Sequence, residues 1–259
     1  MMGLTERFRM PAEWEPHEAT WMVWPHNRAD WENKTQAVEW CYVDIVRKLV
    51  GGERVVLVYR NDRIRQRAER RLTQSRIDLN QIDSYVIETD RSWIRDSGPL
   101  FVVRGSATKQ HVAMTDWCFN GWARYRSFRR DNALSRRIAK RLGMRRFEMK
   151  AQSGTGRKNM VLEGGSIDVN GRGLLLTTEE CLLSNSQTRN PYLSQTHIES
   201  VLCDGLGIHS VLWLGGGIAG DEDDLEVWAV FSGVSQQGHA GNVGHANVGD
   251  QEGKGPLFE

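Results

Sequence analysis

The segment TDRSWIRDSGP, at positions 89–99, places acidic, basic and aromatic residues between two short apolar stretches. Asp96 is followed by a Ser-Gly-Pro sequence typical of turns, so we expect this carboxylate in a loop at the edge of a strand. A carboxylate near Trp93 suits a cationic ligand with an apolar stem, because the carboxylate pairs with the charge and the ring covers the stem or makes a cation–π contact. The alternative is a structural turn formed by Arg95 and Asp96, with Trp93 in the core.

A second carboxylate, Glu163, lies in the segment LEGGSID at positions 162–168, directly before two glycines. Glycine allows the backbone to turn sharply or to approach a ligand closely. A carboxylate held at such a turn is suited to act as a general base or as a second partner for a guanidinium group. The alternative is a glycine hairpin with a solvated glutamate. Neither GxGxxG nor GxxxxGK[ST] surrounds the glycines, so the sequence does not predict a phosphate-binding loop.

Two charged clusters have simpler interpretations. The acidic run at 221–224 suits a cation, but such runs are more often solvated loops or helix starts. The ten basic residues between positions 124 and 146 suit nucleic acid or one exposed helix face. The whole chain has 34 Lys and Arg residues against 33 Asp and Glu residues, a net charge of +1. This balance favours the exposed face and argues against a nucleic-acid or membrane-surface partner.

The composition indicates a globular protein, with 39% hydrophobic and 26% charged residues. No apolar run approaches the ~20 residues of a membrane-spanning helix, and the first residues do not have the apolar core of a secretory signal. The cysteines form no CxxC pair, so their spacing predicts neither a metal site nor a disulfide framework. We therefore expect reduced thiols in a cytoplasmic protein without a metal. The four cysteines are Cys41, Cys118, Cys181 and Cys203.

Apolar spacing predicts strands and helices in alternation, which favours an α/β fold. The predicted strands outnumber the predicted helices, and this ratio fits a plain doubly wound sheet poorly. Asp131 is expected to cap the third helix and Gly143 to end it. The predicted helices cover 33–49, 61–72, 131–142 and 195–206, and the predicted strands cover 54–59, 84–88, 99–103, 111–117, 174–178 and 210–214.

The composition changes near the end of the chain. Residues 232–259 are rich in glycine and almost free of large apolar side chains before Leu257. Such a segment buries too little surface to offset the entropy of ordering it, so we expect a flexible tail after a domain at 1–231.

Several motifs together resemble the agmatine deiminases, whose superfamily also contains the bacterial type of peptidylarginine deiminase. They follow the family's own order from about Met10 to Asp221, and six motifs in order are far more specific than any one of them. The motifs are MPAEWEPHEATWMVWPHNRADW (10–31), TDRSWIRDSGP (89–99), FNGW (119–122), LEGGSIDVNG (162–171), LLTTEECLLSNSQTRNP (175–191) and VLWLGGGIAGD (211–221).

The resemblance implies a pentein fold, an α/β propeller of ββαβ modules. It also implies hydrolysis of agmatine, a small guanidinium substrate, to N-carbamoylputrescine and ammonia, without a cofactor or a metal. Asp96 and Glu163 would be catalytic carboxylates that bind the guanidinium, and Trp93 would pack along its four-carbon stem. Family members commonly self-associate, so a homo-oligomer is also expected.

The resemblance is incomplete at the C-terminus. The family has a GHxD motif after the VLWL stretch, and here the chain reads DEDDLEVWAVF. The family's later His-Cys segment, which supplies the nucleophile, has no counterpart. We therefore expect a propeller that is incomplete at its C-terminus and an activity that is impaired or absent. A non-catalytic guanidinium-binding relic or fragment, and a peptidylarginine deiminase, are the alternatives.

Overall fold

The computed structural model describes residues 8–106, 109–153, 156–185 and 187–215, which form a mixed α/β fold. The strands are β1 (Ala19–Val23), β2 (Arg54–Tyr59), β3 (Ile82–Val86), β4 (Leu100–Ser106), β5 (Lys109–Asp116), β6 (Arg146–Glu148), β7 (Lys150–Ser153), β8 (Gly156–Asn159), β9 (Ile167–Val169), β10 (Leu174–Thr178) and β11 (Ser210–Leu214). The helices are α1 (Thr35–Leu49), α2 (Asp62–Gln74), α3 (Ile94–Ser97), α4 (Leu134–Leu142), α5 (Glu179–Leu183) and α6 (Gln195–Leu206).

The first sheet is parallel and has the order β1-β2-β3, with α1 and α2 as its crossover connections. Strand β2 is central and buried from Val55 to Tyr59, which explains its continuous apolar sequence. The Asn61 side chain accepts a hydrogen bond from Ile64 N at 3.0 Å and so caps the start of α2.

Two further sheets each have ββαβ order. In the first unit, β4 and β5 form an antiparallel hairpin, and α4 leads to β6, which lies parallel to β5. In the second unit, β9 and β10 are antiparallel, and α6 leads to β11, which lies parallel to β10. Strands β7 and β8 form a separate hairpin between the units. None of the sheets within the described residues closes on itself.

Apolar cores join the sheets. One core contains Val58 of the first sheet together with Met114 and Ile138 of the first ββαβ unit. A larger core contains Phe147 of the first unit and Leu202 of the second. The three sheets therefore pack in chain order, and the turns that precede the two hairpins lie near each other.

The observed elements confirm most of the predicted helices and strands, with boundaries shifted by a few residues. The expected helix cap was wrong. Asp131 is not the cap of α4, because its carboxylate instead accepts hydrogen bonds from the backbone of Asp90 and Arg91. Strand β1 and the short strands β6 to β9 were not predicted from the sequence. Gly143 does end α4, with a φ of 62°.

Many of the basic residues at 124–146 contact acidic or aromatic side chains. Arg130 pairs with Asp90 at 2.9 Å, and Arg146 pairs with Glu148 at 2.8 Å. These contacts support the interpretation as a protein surface rather than a nucleic-acid site. The acidic run at 221–224 and the expected tail at 232–259 lie outside the described residues.

Candidate functional site

Asp96 lies in the single-turn helix α3, immediately before β4, and is only 7% exposed. Gly98 N donates to Ile94 O at 2.7 Å, and the Ser97 hydroxyl donates to Trp93 O at 3.0 Å. The sequence predicted a loop here, whereas these bonds close one helical turn. The turn directs the Asp96 carboxylate into the protein.

Glu163 immediately precedes a short 3-10 turn, Gly164–Ser166, that leads into β9, and it is 2% exposed. The alternative of a solvated glutamate on a glycine hairpin was therefore wrong. A Cβ at Gly164 would lie 2.4 Å from Arg95 O and 2.8 Å from Leu100 Cδ2. The two turns meet backbone to backbone, and only glycine permits that approach.

The two carboxylates occupy equivalent places in the two ββαβ units. Asp96 precedes Leu100, the first residue of β4, by four positions, and Glu163 precedes Ile167, the first residue of β9, by four positions. The backbone N–H of Gly165 donates a hydrogen bond to the Asp96 carboxylate. The second turn thus binds the acid of the first.

Burial raises the pKa of Asp96 to about 7, and the nearby charge of Glu163 acts in the same direction. The guanidinium groups of Arg95 and Arg189 act in the opposite direction. Two acids in a site of low polarity repel each other, and a cation between them relieves that repulsion. The electrostatics of this site therefore favour a positively charged ligand.

The two oxygens of Glu163 differ in their surroundings. Oε1 accepts a hydrogen bond from Arg189 Nε at 3.2 Å. Oε2 is fully buried and has no hydrogen-bond partner among the described residues. Leaving a buried carboxylate oxygen unsatisfied costs several times the net gain of an ordinary hydrogen bond, so this atom is suited to accept from a ligand.

Arg95 lies in the same helical turn as Asp96, and its side chain connects the elements of the site. Its Nε donates to Gly164 O at 3.0 Å, and its Nη1 pairs with Glu13. The guanidinium therefore fixes the 3-10 turn after Glu163 to helix α3. Arg95 therefore stabilises the two turns that carry Asp96 and Glu163.

Trp93 forms the N-terminal boundary of α3 and is half-buried. Its ring packs against Trp31, with centroids 5.1 Å apart and planes tilted by 52°. Arg91 forms an ion pair with Asp30 and lies over the ring of Tyr125. These contacts fix the aromatic pair beside the turn that carries Asp96.

Sequence reasoning missed Arg189 and Asn190. The Asn190 amide accepts from Val161 N at 2.9 Å and donates to Val161 O at 2.8 Å, while Arg189 binds Glu163. Both residues lie in the motif LLTTEECLLSNSQTRNP, which was the available signal. Their partners lie more than twenty residues away, so only the fold identifies these contacts.

Two of the four cysteines, Cys118 and Cys203, do not have the properties of an activated nucleophile. Burial raises the pKa of the Cys118 thiol and of the Cys203 thiol, whereas a reactive thiol needs a lowered pKa. The described residues contain no cluster of three or more metal-ligating side chains. They also contain no helix long and apolar enough to cross a bilayer.

The fold and the site define an α/β protein of ββαβ units with a buried pair of carboxylates suited to a cation. The sequence model of the Porphyromonas-type peptidyl-arginine deiminases matches residues 9–238, and the chain belongs to this family. The match confirms the resemblance inferred from the six motifs.

The individual proteins that resemble this chain include several agmatine deiminases. An agmatine deiminase of Pseudomonas aeruginosa is 38% identical over 230 residues, which cover 85% of this chain and 56% of that protein. An agmatine deiminase of Ectopseudomonas mendocina is 37% identical over 225 residues, with the same coverage. The solved structure of the Enterococcus faecalis agmatine deiminase matches with a TM-score of 0.70 and 32% identity, covering 84% of this chain and 55% of that one. The chain thus spans somewhat more than half the length of these relatives.

Proposed function

We propose that Asp96 and Glu163 bind the guanidinium group of agmatine, and that Trp93 packs along its aliphatic stem. The observation that carries this proposal is the pair of buried carboxylates, one of which has an oxygen without a hydrogen-bond partner among the described residues. A planar guanidinium presents several N–H donors to such oxygens and carries the charge that relieves their repulsion.

The reaction proposed for this site is deimination, in which agmatine and water give N-carbamoylputrescine and ammonia. A thiolate adds to the guanidinium carbon, ammonia leaves, and water then displaces the sulfur. In this scheme Asp96 and Glu163 orient the guanidinium and stabilise its positive charge. We propose that turnover by the 259-residue chain is impaired. Burial raises the pKa of the Cys118 and Cys203 thiols, which disfavours either of them as the thiolate.

The pentein-type propeller is part of the same proposal. Two ββαβ units packed side by side, with their carboxylates at equivalent positions, support it.

Peptidyl-arginine is a second candidate ligand, favoured by the description of the matching family. Both ligands present a guanidinium on an apolar stem, but only peptidyl-arginine continues into a polypeptide backbone. Comparing agmatine with an arginine-containing peptide separates the two.

The test is titration calorimetry of the purified chain with agmatine, combined with an assay for released ammonia. We expect agmatine to bind and putrescine, which has no guanidinium, not to bind. Asp96→Asn and Glu163→Gln should each weaken binding tenfold or more, since each removes a charged hydrogen-bond acceptor. Asp168→Asn is the matched control, because Asp168 lies on β9 next to the site and is exposed. Equal binding of agmatine and putrescine, or no binding by a folded chain, would refute the proposal.

A further inference from the structure

A loop at 187–192 lies along the segment 159–163 that leads to Glu163. The Tyr192 hydroxyl donates to Asn159 O at 3.0 Å. The Asn190 amide makes its two hydrogen bonds to the backbone of Val161. Arg189 then reaches Glu163 itself, so the loop contacts every second residue of the segment.

Arg189 is held on two sides and is only 8% exposed. Its Nη1 donates to Gln187 O at 2.8 Å and to the Gln187 side-chain oxygen at 3.3 Å. Its Nε donates to Glu163 Oε1 at 3.2 Å. A guanidinium fixed in this way has little freedom to rotate, and it therefore constrains the carboxylate that it binds.

The contact between Arg189 and Glu163 uses one oxygen only. A two-pronged pair would occupy both carboxylate oxygens, as is frequent for arginine. Here Oε2 remains without a partner among the described residues, although it is buried. The position of Arg189 thus determines which oxygen of Glu163 is left to accept from a ligand.

We propose that Arg189 is a positioning residue that fixes the orientation of Glu163, so that its Oε2 meets the ligand guanidinium, and that its charge allows Glu163 and Asp96 to share one buried site. This inference rests on the proposed function for the identity of the ligand. The groups that face Asp96 are Glu163, Arg95, Arg189 and the backbone N–H of Gly165.

A purely structural ion pair is the competing explanation, since a buried pair is weak evidence for a functional role. The two explanations predict different effects of Arg189→Gln on ligand binding when Glu163 has already been replaced by glutamine. A positioning residue acts through Glu163, so Arg189→Gln should add little loss of binding in a Glu163→Gln background. If Arg189 instead acts by holding the loop at 187–192 through Gln187, it should add its full loss, because that effect does not pass through Glu163.

The first experiment is a double-mutant cycle on agmatine binding, measured by calorimetry at pH 8. We expect Arg189→Gln alone to weaken binding about tenfold, the usual size of a lost charged contact. Arg189→Lys should give an intermediate loss, because it keeps the charge but loses the Nε donor and the planar shape. Arg172→Gln, at an exposed arginine of the β9–β10 hairpin loop, is the matched control and should bind as wild type. Additive losses in the cycle would overturn the proposal.

The second experiment needs no ligand and separates this inference from the proposed function. The carboxyl carbon of Asp96 is followed by NMR as the ligand-free chain is titrated. Arg189→Gln should raise the pKa of Asp96, and Arg189→Lys should leave it near the wild-type value. An unchanged pKa in a folded Arg189→Gln chain would overturn the role of Arg189, whether or not agmatine binds. Absence of agmatine binding together with the expected pKa change would refute only the choice of ligand.

Discussion

Asp96 and Glu163 show how the protein holds two acids in one buried place. Each is reached by a different guanidinium or backbone donor: the Gly165 N–H contacts Asp96, and Arg189 contacts Glu163. Arg95 fixes the two turns to each other through Gly164, and its charge lowers the pKa of Asp96. Because Asp96 and Glu163 are not fully paired with other groups among the described residues, they can still bind a positively charged ligand.

The raised pKa of Asp96 predicts that agmatine binding is pH dependent. Below pH 7 the acid is largely protonated and attracts a cation weakly, whereas above pH 7 it is ionised. We expect the dissociation constant measured by calorimetry to fall as the pH rises from 6 to 8, with the change centred near 7. Asp96→Asn should remove this dependence, and a wild-type affinity that is constant across the range would contradict the assignment.

The same shift affects the stability of the ligand-free chain with the opposite sign. An unfolded aspartic acid ionises near its ordinary pKa, while folded Asp96 keeps its proton until about pH 7. Between these values the folded state binds more protons, so the contribution of Asp96 to stability falls as the pH rises and levels off above 7. We expect a guanidinium ligand to offset this loss, because it favours the ionised acid.

The sequence indicated Asp96, Glu163 and Trp93 as candidates because their motifs are local, and the family resemblance supplied the roles expected for them. It did not predict Arg189, whose partner lies 26 positions away. It also assigned Asp96 to a loop, because a Ser-Gly-Pro sequence is typical of turns and one turn of helix has no periodicity to detect. Contacts between distant segments depend on how the units pack, which residue types alone do not specify.

Connecting segments, rather than the strands themselves, set the positions of the site residues. Residue 131, just before α4, anchors the segment that leads to Asp96, and the loop at 187–192, before α6, anchors the one that leads to Glu163. In both units, the segment between the hairpin and the following helix folds back onto the segment that precedes the hairpin and forms hydrogen bonds with its backbone. The sequence indicated α4 and α6 correctly but suggested a helix cap for Asp131, because a carboxylate just before a helix usually has that role.

Asp131→Asn tests this anchoring. The Asp131 carboxylate is buried and accepts hydrogen bonds from Asp90 N at 2.7 Å and Arg91 N at 3.1 Å. An amide keeps one acceptor and turns an N–H donor toward a backbone donor, so we expect a loss of about 1–3 kcal/mol in the free energy of unfolding. Hydrogen exchange at the amides of Asp90 and Arg91 should become faster, and agmatine should bind more weakly.

Asp78→Asn is the control for this change, because Asp78 is exposed and accepts from Asn80 N at 2.9 Å at the start of a surface turn. It should leave both exchange and binding unchanged. Wild-type exchange at Asp90 in the Asp131→Asn chain would show that the carboxylate does not anchor the segment.

At the scale of the molecule, the geometry of the site depends on how closely the two ββαβ units pack. Helix α6 of the second unit meets the first unit at Gly205, where a Cβ would lie 2.6 Å from Met149 Sδ and 3.0 Å from Trp117 Cζ2. The Trp117 ring is held by its Nε1 hydrogen bond to Thr115 Oγ1 at 2.9 Å. The predicted order of strands and helices did not specify the contact at Gly205. The ββαβ order itself was expected only from the family resemblance.

Gly205→Ala is therefore predicted to destabilise the protein, although the same change in an exposed helix stabilises it by about 1 kcal/mol. The added methyl group would press against the Met149 sulfur and the Trp117 ring, which its hydrogen bond holds in place, and overpacking of this kind costs about 1–3 kcal/mol. Ser200→Ala, on the exposed face of α6, is the matched control and should be neutral or slightly stabilising. Unfolding in urea measures both changes. Because the helix must move away from the first unit, Gly205→Ala should also weaken agmatine binding. A chain that is stabilised by Gly205→Ala would show that the two units do not pack closely at this point.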